Sequence, residues 1–469
     1  MTFTEYDFLI FFLVFFSAYW LIKRKSWQNL LLLAASYIFY GWVHPWYALM
    51  LGLSTLVDYA LALGIARNRA RTKWYMALSL LFNLGVLCFF KYYNFFNEGL
   101  FQWLTSLGIQ ADVFIVRSLL PAGLSFYTLK KLAYMFDVSR GTLEPSRDLV
   151  GFGLFAAFFP QINAGPIDRA QKLLPQIQSE RTWKADYFYN AWPLIVMGFF
   201  KKVVIADTIA NYAVIPIFNL QHPTPLMLGS AALAFTVQIL ADFSAYTDLS
   251  RGVALLFGFE TSENFNAPYQ SLTPTEFWNR WHITLSTWLR DYIFFPLRRT
   301  LLRSKVQLPA WLVDALPPLV TMLVSGIWHG VGWTYVLWGG FYGVLIVLYQ
   351  ALGLGGSWKP SNWLTRAFAW LVMFSMIVVS FAVFRASSLQ WLTGILTSGL
   401  TVGSPEQRMA AIFSLSIAII YSLPLLLKWQ MERKLPKDSF LHEVYFVAAT
   451  ILMLIYINST ATDFVYFQF

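Results

Sequence analysis

The chain has 469 residues, of which 58% are hydrophobic and 12% charged, whereas a soluble domain usually carries about 25% charged residues. Aromatic residues reach 19%, with 20 Trp, a residue favoured where lipid meets water. These proportions exclude an ordinary soluble domain and point to an all-α polytopic integral membrane protein; a membrane barrel would show weakly alternating segments of about ten residues instead. The net charge of +10 falls in clusters between apolar runs, which is the signature of membrane topology rather than of nucleic-acid binding. The single cysteine, Cys88, lies in the apolar run LGVLCFFKYY and excludes an intramolecular disulfide. It reads as a small packing residue, with a reactive thiol as the alternative.

A membrane span needs about 20 mostly apolar residues. The first is expected near 6–22, with acidic Glu5 and Asp7 before it and Lys23, Arg24 and Lys25 after it. That order is the reverse of a secretory signal and places the N-terminus outside. From Ser26 to Val57 there is no charge, and VHPW (Val43–Trp46) divides two spans. The basic RNRARTK (Arg67–Lys73) forms the next cytoplasmic loop, followed by spans near 75–96 and 115–136. The run GFGLFAAFFPQINAGP (Gly151–Pro166) is apolar but short, is broken by Pro160 and Gly165, and has basic residues on both sides. It is expected to be re-entrant, and irregular backbone at that depth must be buried in protein or line a cavity. Further spans are expected near 188–219, 227–257, 309–328, 333–353, 364–385, 409–427 and 441–458. The basic loop Lys428–Lys437 is then cytoplasmic and the terminal FVYFQF external, for about twelve crossings with both ends outside.

Between residues 242 and 334 the polar residues need a chemical account. Thr273-Pro274-Thr275-Glu276 is a helix start with a capping box. Phe277, Trp281, Leu285, Trp288, Tyr292 and Phe295 then recur at steps of three and four, so one continuous amphipathic helix is expected, with Glu276 and Arg280 paired along it and His282 close to Leu285 and Leu289. Arg290 and Asp291 make it a poor lipid-facing span, so it is expected near the cytoplasmic interface or enclosed by other helices. In SGIWHGVGW (Ser325–Trp333), His329 lies in a stretch from Ala315 to Trp358 that has no Asp, Glu, Lys or Arg. With Pro317-Pro318 as the helix start, His329 falls roughly 17 Å along the axis, inside the hydrocarbon. An imidazole at that depth is expected to face the bundle interior with a partner, and it suits general-base work on an attacking hydroxyl; the alternative is a packing histidine beside Trp328. Gly326, Gly330 and Gly332 flank it and allow a helix break or a close approach by neighbours or ligand. In QILADFSAYTDLSRG, Asp248 lies at helical spacing from Arg251, whereas Asp242 has no local partner and is available to orient a histidine or a hydroxyl, or for structural hydrogen bonding. His44, His222 and His442 sit at turns or span ends and receive no chemistry. No His/Cys/Asp cluster has metal-ligand spacing.

These segments carry a resemblance. LPAGLSFYTLKKLAYMFDVSRG (Leu120–Gly141), FFPQINAGPIDR (Phe158–Arg169), GFFKKVVIAD (Gly198–Asp207), ADFSAYTDLSRGVALLFGF, ENFNAPYQSLTPTEFWNRWHITLSTWLRDYIFFPL, SGIWHGVGWTYVLWGG, FRASSL (Phe384–Leu389) and FVYFQF resemble the membrane-bound O-acyltransferase superfamily, in its bacterial polysaccharide-acetylation branch, across most of the chain. Ala245, where relatives have glycine, and Asn163, where they have an apolar residue, depart from the pattern away from the expected chemistry. The resemblance implies about 11–13 helices with re-entrant segments around a central tunnel, as a single domain over 1–469, with N-terminal helices at 1–110, a catalytic core at 115–355 and C-terminal helices at 360–469. It implies His329 as the base and His282 as a second important histidine. Trp278, Arg280 and Trp281 would shape the thioester end, with Trp328 beside His329 and Asp242 and Ser244 orienting polar groups. It further implies an inner-membrane enzyme with no permanently bound cofactor. The acyl donor would be a cytoplasmic thioester (acetyl-coenzyme A or an acyl carrier protein), the acceptor an exported glycan, and an esterase-like SGNH-type protein would act outside. Arg280, Arg298, Arg299 and Arg303 either attract the donor or only set topology. D-alanyl transfer to teichoic acid, protein or lipid acylation, a proton-coupled transporter and a structural anchor are the competing readings.

Overall fold

The computed structural model describes residues 1–108, 121–305, 308–355, 358–397, 399, 403–436, 438–457 and 460–465. Among them every regular element is a helix, as hydrocarbon demands of chains that must satisfy their own backbone groups. The start of the expected span at 115–136 and the last four residues of FVYFQF lie outside the described residues. The chain forms two compact units, Met1–Ala191 with Ser250–Ser262, and Trp192–Leu249 with Glu263–Phe469.

The first unit contains α1 (Tyr6–Leu21), α2 (Lys25–Gly41), α3 (Pro45–Arg67), α4 (Thr72–Ser106), α5 (Leu124–Arg140), α6 (Leu149–Ala157) and α7 (Ala170–Gln178). Pro45 opens α3 at its first turn, where a missing N–H is harmless. Inside this unit Lys131 of α5 pairs with Asp58 of α3 at 3.2 Å, both side chains fully buried. Ser79 Oγ and Asn83 Nδ2 of α4 donate to the same carboxylate at 2.6 and 2.9 Å, and Lys131 also donates to the Ser54 hydroxyl. A buried charge pair persists only with such additional hydrogen bonds. The expected re-entrant run takes the form of α6 followed by turns through Gly165, and every residue from Gly151 to Asp168 is buried. Gly123 packs its backbone on this run: a Cβ there would lie 2.2 Å from the Ile162 carbonyl oxygen, and its φ of +78° is left-handed.

In the second unit, α8 (Ala185–Phe199) enters from the first unit and continues as helix to Phe218 through two wider, π-type stretches, Phe200–Ala206 and Ala210–Val214. Then come α9 (Pro225–Leu256) and three short helices, α10 (Pro274–Trp278), α11 (Ile283–Leu289) and α12 (Phe295–Leu302). The hairpin of α13 (Ala310–His329) and α14 (Trp333–Ala351) follows, and then α15 (Trp363–Arg385), α16 (Leu389–Thr397), α17 (Pro405–Lys434) and α18 (Phe440–Tyr456). Reciprocal capping boxes start α15 at Asn362–Thr365 and α17 at Ser404–Gln407.

Among the described residues seven helical stretches are long and apolar enough to cross a membrane, and Tyr6–Leu21 and Phe440–Tyr456 are apolar but shorter. The chain is a multi-pass membrane protein. α9 is the most enclosed of the seven, whereas α17 presents Ile412, Phe413, Ile419 and Leu423 outward. One expectation is corrected. Pro317-Pro318 does not start the helix of His329: α13 begins at Ala310 and keeps both prolines inside. Prolines are tolerated in membrane helices because neighbouring groups re-satisfy the freed backbone, and here Thr321 Oγ1 donates to the Pro317 carbonyl at 2.6 Å. His329 therefore ends a 20-residue helix, about 28 Å from its start. It sits at the elbow of the hairpin and is shielded by packing rather than by depth along that helix.

Candidate active site

The hairpin seam explains where His329 is held. A Cβ on Gly326 would lie 2.2 Å from the Tyr335 carbonyl oxygen, one on Gly330 would lie 2.2 Å from the Tyr335 ring, and one on Gly339 would lie 2.4 Å from the Met322 carbonyl oxygen. Two of the three glycines flanking His329 thus admit α14 and its Tyr335 rather than a substrate arm. The third, Gly332, has φ +142° and forms the turn into α14. With the helices backbone to backbone, His329 of α13 faces Trp338 of α14, their rings 5.1 Å apart and perpendicular. Phe384 of α15 closes a third side at 5.6 Å. His329 is 6% exposed.

The segment of His282 is built differently from the expected continuous helix. Thr273 Oγ1 caps α10 by accepting from the Glu276 amide at 3.1 Å, while the Glu276 carboxylate accepts from the Leu272 amide rather than that of Thr273. The helix stops at Trp278. Residues 264–266 then pair with 280–283: Asn266 N donates to Arg280 O at 2.9 Å and Ile283 N to Asn264 O at 3.0 Å. The Asn264 side chain accepts from Thr284 N and Oγ1 at 3.1 and 2.7 Å. This pairing pulls the helix apart, and His282 takes the left-handed conformation, φ +41°, at the break. Among non-glycine residues that backbone is uncommon and marks a functional constraint or strain.

The break turns His282 inward. It is fully buried, with its ring 4.8 Å from Phe243 of α9 and 6.3 Å from Trp328. Trp328 in turn lies 4.9 Å from His329, so both Trp-His segments meet on one indole. Burial pushes the His282 pKa down, which leaves its imidazole neutral, with one donor and one acceptor nitrogen.

The other expected residues divide into groups. Trp278 packs against Trp338 at 5.7 Å and Tyr342 at 5.0 Å and belongs to the histidine cluster. Trp281 lies among Phe265, Tyr269, Phe277 and Phe381. Arg280 is a third exposed and is held by Glu276 at 3.0 Å and by the Asn266 carbonyl. Asp242 and Ser244 flank Phe243 but are engaged by consecutive lysines. Lys202 bridges Asp242 and Asp207 at 3.0 and 2.9 Å, and Lys201 donates to Ser244 at 2.8 Å and pairs with Asp248 at 2.7 Å. A π-type turn, frequent at functional sites, carries both lysines. The same acids hold the chain near its end: the Val465 amide donates to Asp242, and the Thr462 hydroxyl donates to Asp207 at 2.6 Å.

Sequence reasoning overlooked Trp338, Phe384, Phe243 and the two lysines. Trp338 sits five residues after the strongly exposed Trp333 on the same helix, and nothing in the local sequence separates a lipid-facing tryptophan from a site tryptophan. Among the described residues no group of His, Cys, Asp and Glu is arranged to hold a metal ion.

Residues 146–385, which include both histidines, match the family model for the membrane-bound O-acyltransferase family. The chain is 38% identical over 397 residues to the "Probable alginate O-acetylase AlgI" of Pseudomonas aeruginosa, covering 83% of this chain and 73% of that protein. It is 30% identical to the "Peptidoglycan O-acetyltransferase" of Helicobacter pylori, covering 78% and 73%. It is also 29% identical to the "Teichoic acid D-alanyltransferase" of Bacillus subtilis, covering 56% and 68%. Two buried histidines joined through Trp328, within a matched stretch and with relatives over most of the chain, lead to one conclusion: the chain belongs to the membrane-bound O-acyltransferase family and is an acyltransferase.

Proposed function

We propose that this protein takes an acetyl group from a cytoplasmic thioester and passes it across the membrane for O-acetylation of an exported polysaccharide. The observation that carries this reading is the meeting of His282 and His329 on Trp328 inside the second unit. His329 is the base that takes the proton of the attacking hydroxyl. Neutral His282 accepts or donates a hydrogen bond beside it, and Trp278 and Trp281 wall the thioester end. Asp242 and Ser244 act indirectly, by fixing α9 and hence Phe243 against His282. The names of the relatives supply the acyl group and the acceptor class: alginate and peptidoglycan for two of those above, teichoic acid for the third.

No permanent cofactor is needed, because the activated acyl group arrives as the thioester of coenzyme A or of a carrier protein. Arg299 and Arg303 are exposed on and just after α12, with Arg298 beside them paired to Asp314 at 3.3 Å. They offer charge to phosphates or to an acidic carrier. The basic stretches Lys23–Lys25, Arg67–Lys73 and Lys428–Lys437 support cytoplasmic loops, both termini outside and residence in the inner membrane. An SGNH-type, esterase-like protein on the outer side completes delivery to the glycan.

The test is His329→Ala in the native cell, with mass analysis of cell-wall and exopolysaccharide fractions. Loss of glycan O-acetyl groups by about 10²–10⁴-fold in rate, with normal membrane insertion, is expected. Loss of D-alanine esters instead moves the reading to teichoic acid. Unchanged acylation overturns the role of His329 as the base.

A further inference from the structure

Two tryptophans of the second unit use their N–H groups as donors to backbone carbonyls. Trp370 Nε1 donates to the Tyr269 carbonyl at 2.8 Å and Trp391 Nε1 to the Leu220 carbonyl at 2.9 Å. Trp278 and Trp338 do not: each has a buried Nε1 with no hydrogen-bond partner among the described residues. They are 7% and 1% exposed, so bulk water does not supply one. The Tyr342 hydroxyl, whose ring touches both indoles, is already engaged with Ser380 Oγ at 2.9 Å. Buried donors left unfilled are destabilising and rare in native proteins. Here two of them lie on indoles 5.7 Å apart, and one indole stands 5.1 Å from the His329 ring. Such a pair beside a general base has the composition of a carbonyl-binding site.

We propose that the Nε1–H groups of Trp338 and Trp278 receive the carbonyl oxygen of the acyl thioester; this rests on acyl transfer at His329. The acceptor hydroxyl oxygen bonds to the carbonyl carbon as its proton passes to His329. The carbonyl π electrons move onto oxygen, and the two indole donors stabilise that oxyanion. Collapse re-forms the carbonyl, breaks the carbon–sulfur bond and returns the proton from His329 to the departing thiolate, leaving an ester and a thiol. Donors placed where charge develops act more strongly in a water-excluded site than in water. Trp338 is thus a catalytic residue on the same hairpin as the base, and the hairpin seam sets the distance between them.

The experiment places β-(3-benzothienyl)alanine, which keeps the indole shape and lacks the N–H, at position 338 of the full-length protein in membrane vesicles. Transfer from acetyl-pantetheine is then measured. A fall in kcat of about 10²–10³-fold with KM within about twofold and an unchanged melting temperature in detergent is expected; unchanged kcat overturns the proposal. Trp278→Phe gives the same readout for the second donor. On the wild-type protein, a pantetheine analogue with a ketone in place of the thioester is expected to compete about tenfold better than the analogue reduced to a methylene, and equal competition overturns the proposal without recourse to any variant. His329→Ala is run in parallel: activity retained there sinks His329 as the base on which the proposal rests, whereas activity lost there but kept in the position-338 variant sinks only the donor pair.

Discussion

The Asp58 network of the first unit and the histidine cluster of the second both bury polar chemistry in an apolar bundle, and they treat it in opposite ways. In the first, Asp58 collects Lys131, Ser79 and Asn83, and Lys131 also reaches Ser54. In the second, two histidines are ringed by Trp328, Trp338, Phe243 and Phe384, beside two indole N–H groups with no acceptor among the described residues. A network closed on itself stabilises one packing and has nothing left to offer a substrate. A cluster with capacity to spare gives up stability for binding, which is the usual bargain at active sites.

Four variants break or sharpen that contrast. Lys131→Ala leaves a fully buried carboxylate uncompensated and is expected to lower stability by about 3–5 kcal/mol, read as a fall in melting temperature in detergent. The pair Lys131→Met with Asp58→Leu should recover most of that loss, with normal activity per folded molecule; a double variant as unstable as the single one would show that more than charge compensation is at stake. His282→Asn should do the reverse. Asparagine accepts the left-handed backbone, so stability is expected to stay within about 1 kcal/mol while the acyl-transfer rate falls about 10²-fold; equal activity would make His282 a packing residue. Gly339→Val drives a side chain into the Met322 carbonyl, 2.4 Å from the Cβ position, and is expected to cost about 1–3 kcal/mol. Because the seam holds His329 opposite Trp338, activity should fall further than stability does, measured as turnover at a temperature where the variant remains folded.

Much of this could be read in advance. Long apolar runs and basic clusters locate most helices to within a few residues, because length and hydropathy decide membrane spans. The two Trp-His segments mark the site, because an imidazole in a charge-free stretch demands a reason. The break at His282 was hidden: Phe277, Trp281 and Leu285 keep helical spacing across it, and its cause, the pairing with Asn264 and Asn266, is a tertiary contact. Pro317-Pro318 misled for the opposite reason, since a local helix breaker was overridden by surroundings that re-satisfy the backbone. The partners of Asp242 and Asp248 lie on another helix, and a π-type turn sends adjacent lysines to different acids; one-dimensional periodicity carries neither fact.

The glycine seam has a mechanical consequence. Where backbones touch directly, as at Gly326 against Tyr335 and Gly339 against Met322, no flexible side chain is left to act as a spring. A bilayer that thins or thickens is met by tilting of helices, at a modest cost per ångström, and α13 and α14 then tilt together as one rigid plate. The gap between imidazole and indole is thereby insulated from changes in lipid composition, and the enzyme's turnover should track substrate supply rather than membrane thickness.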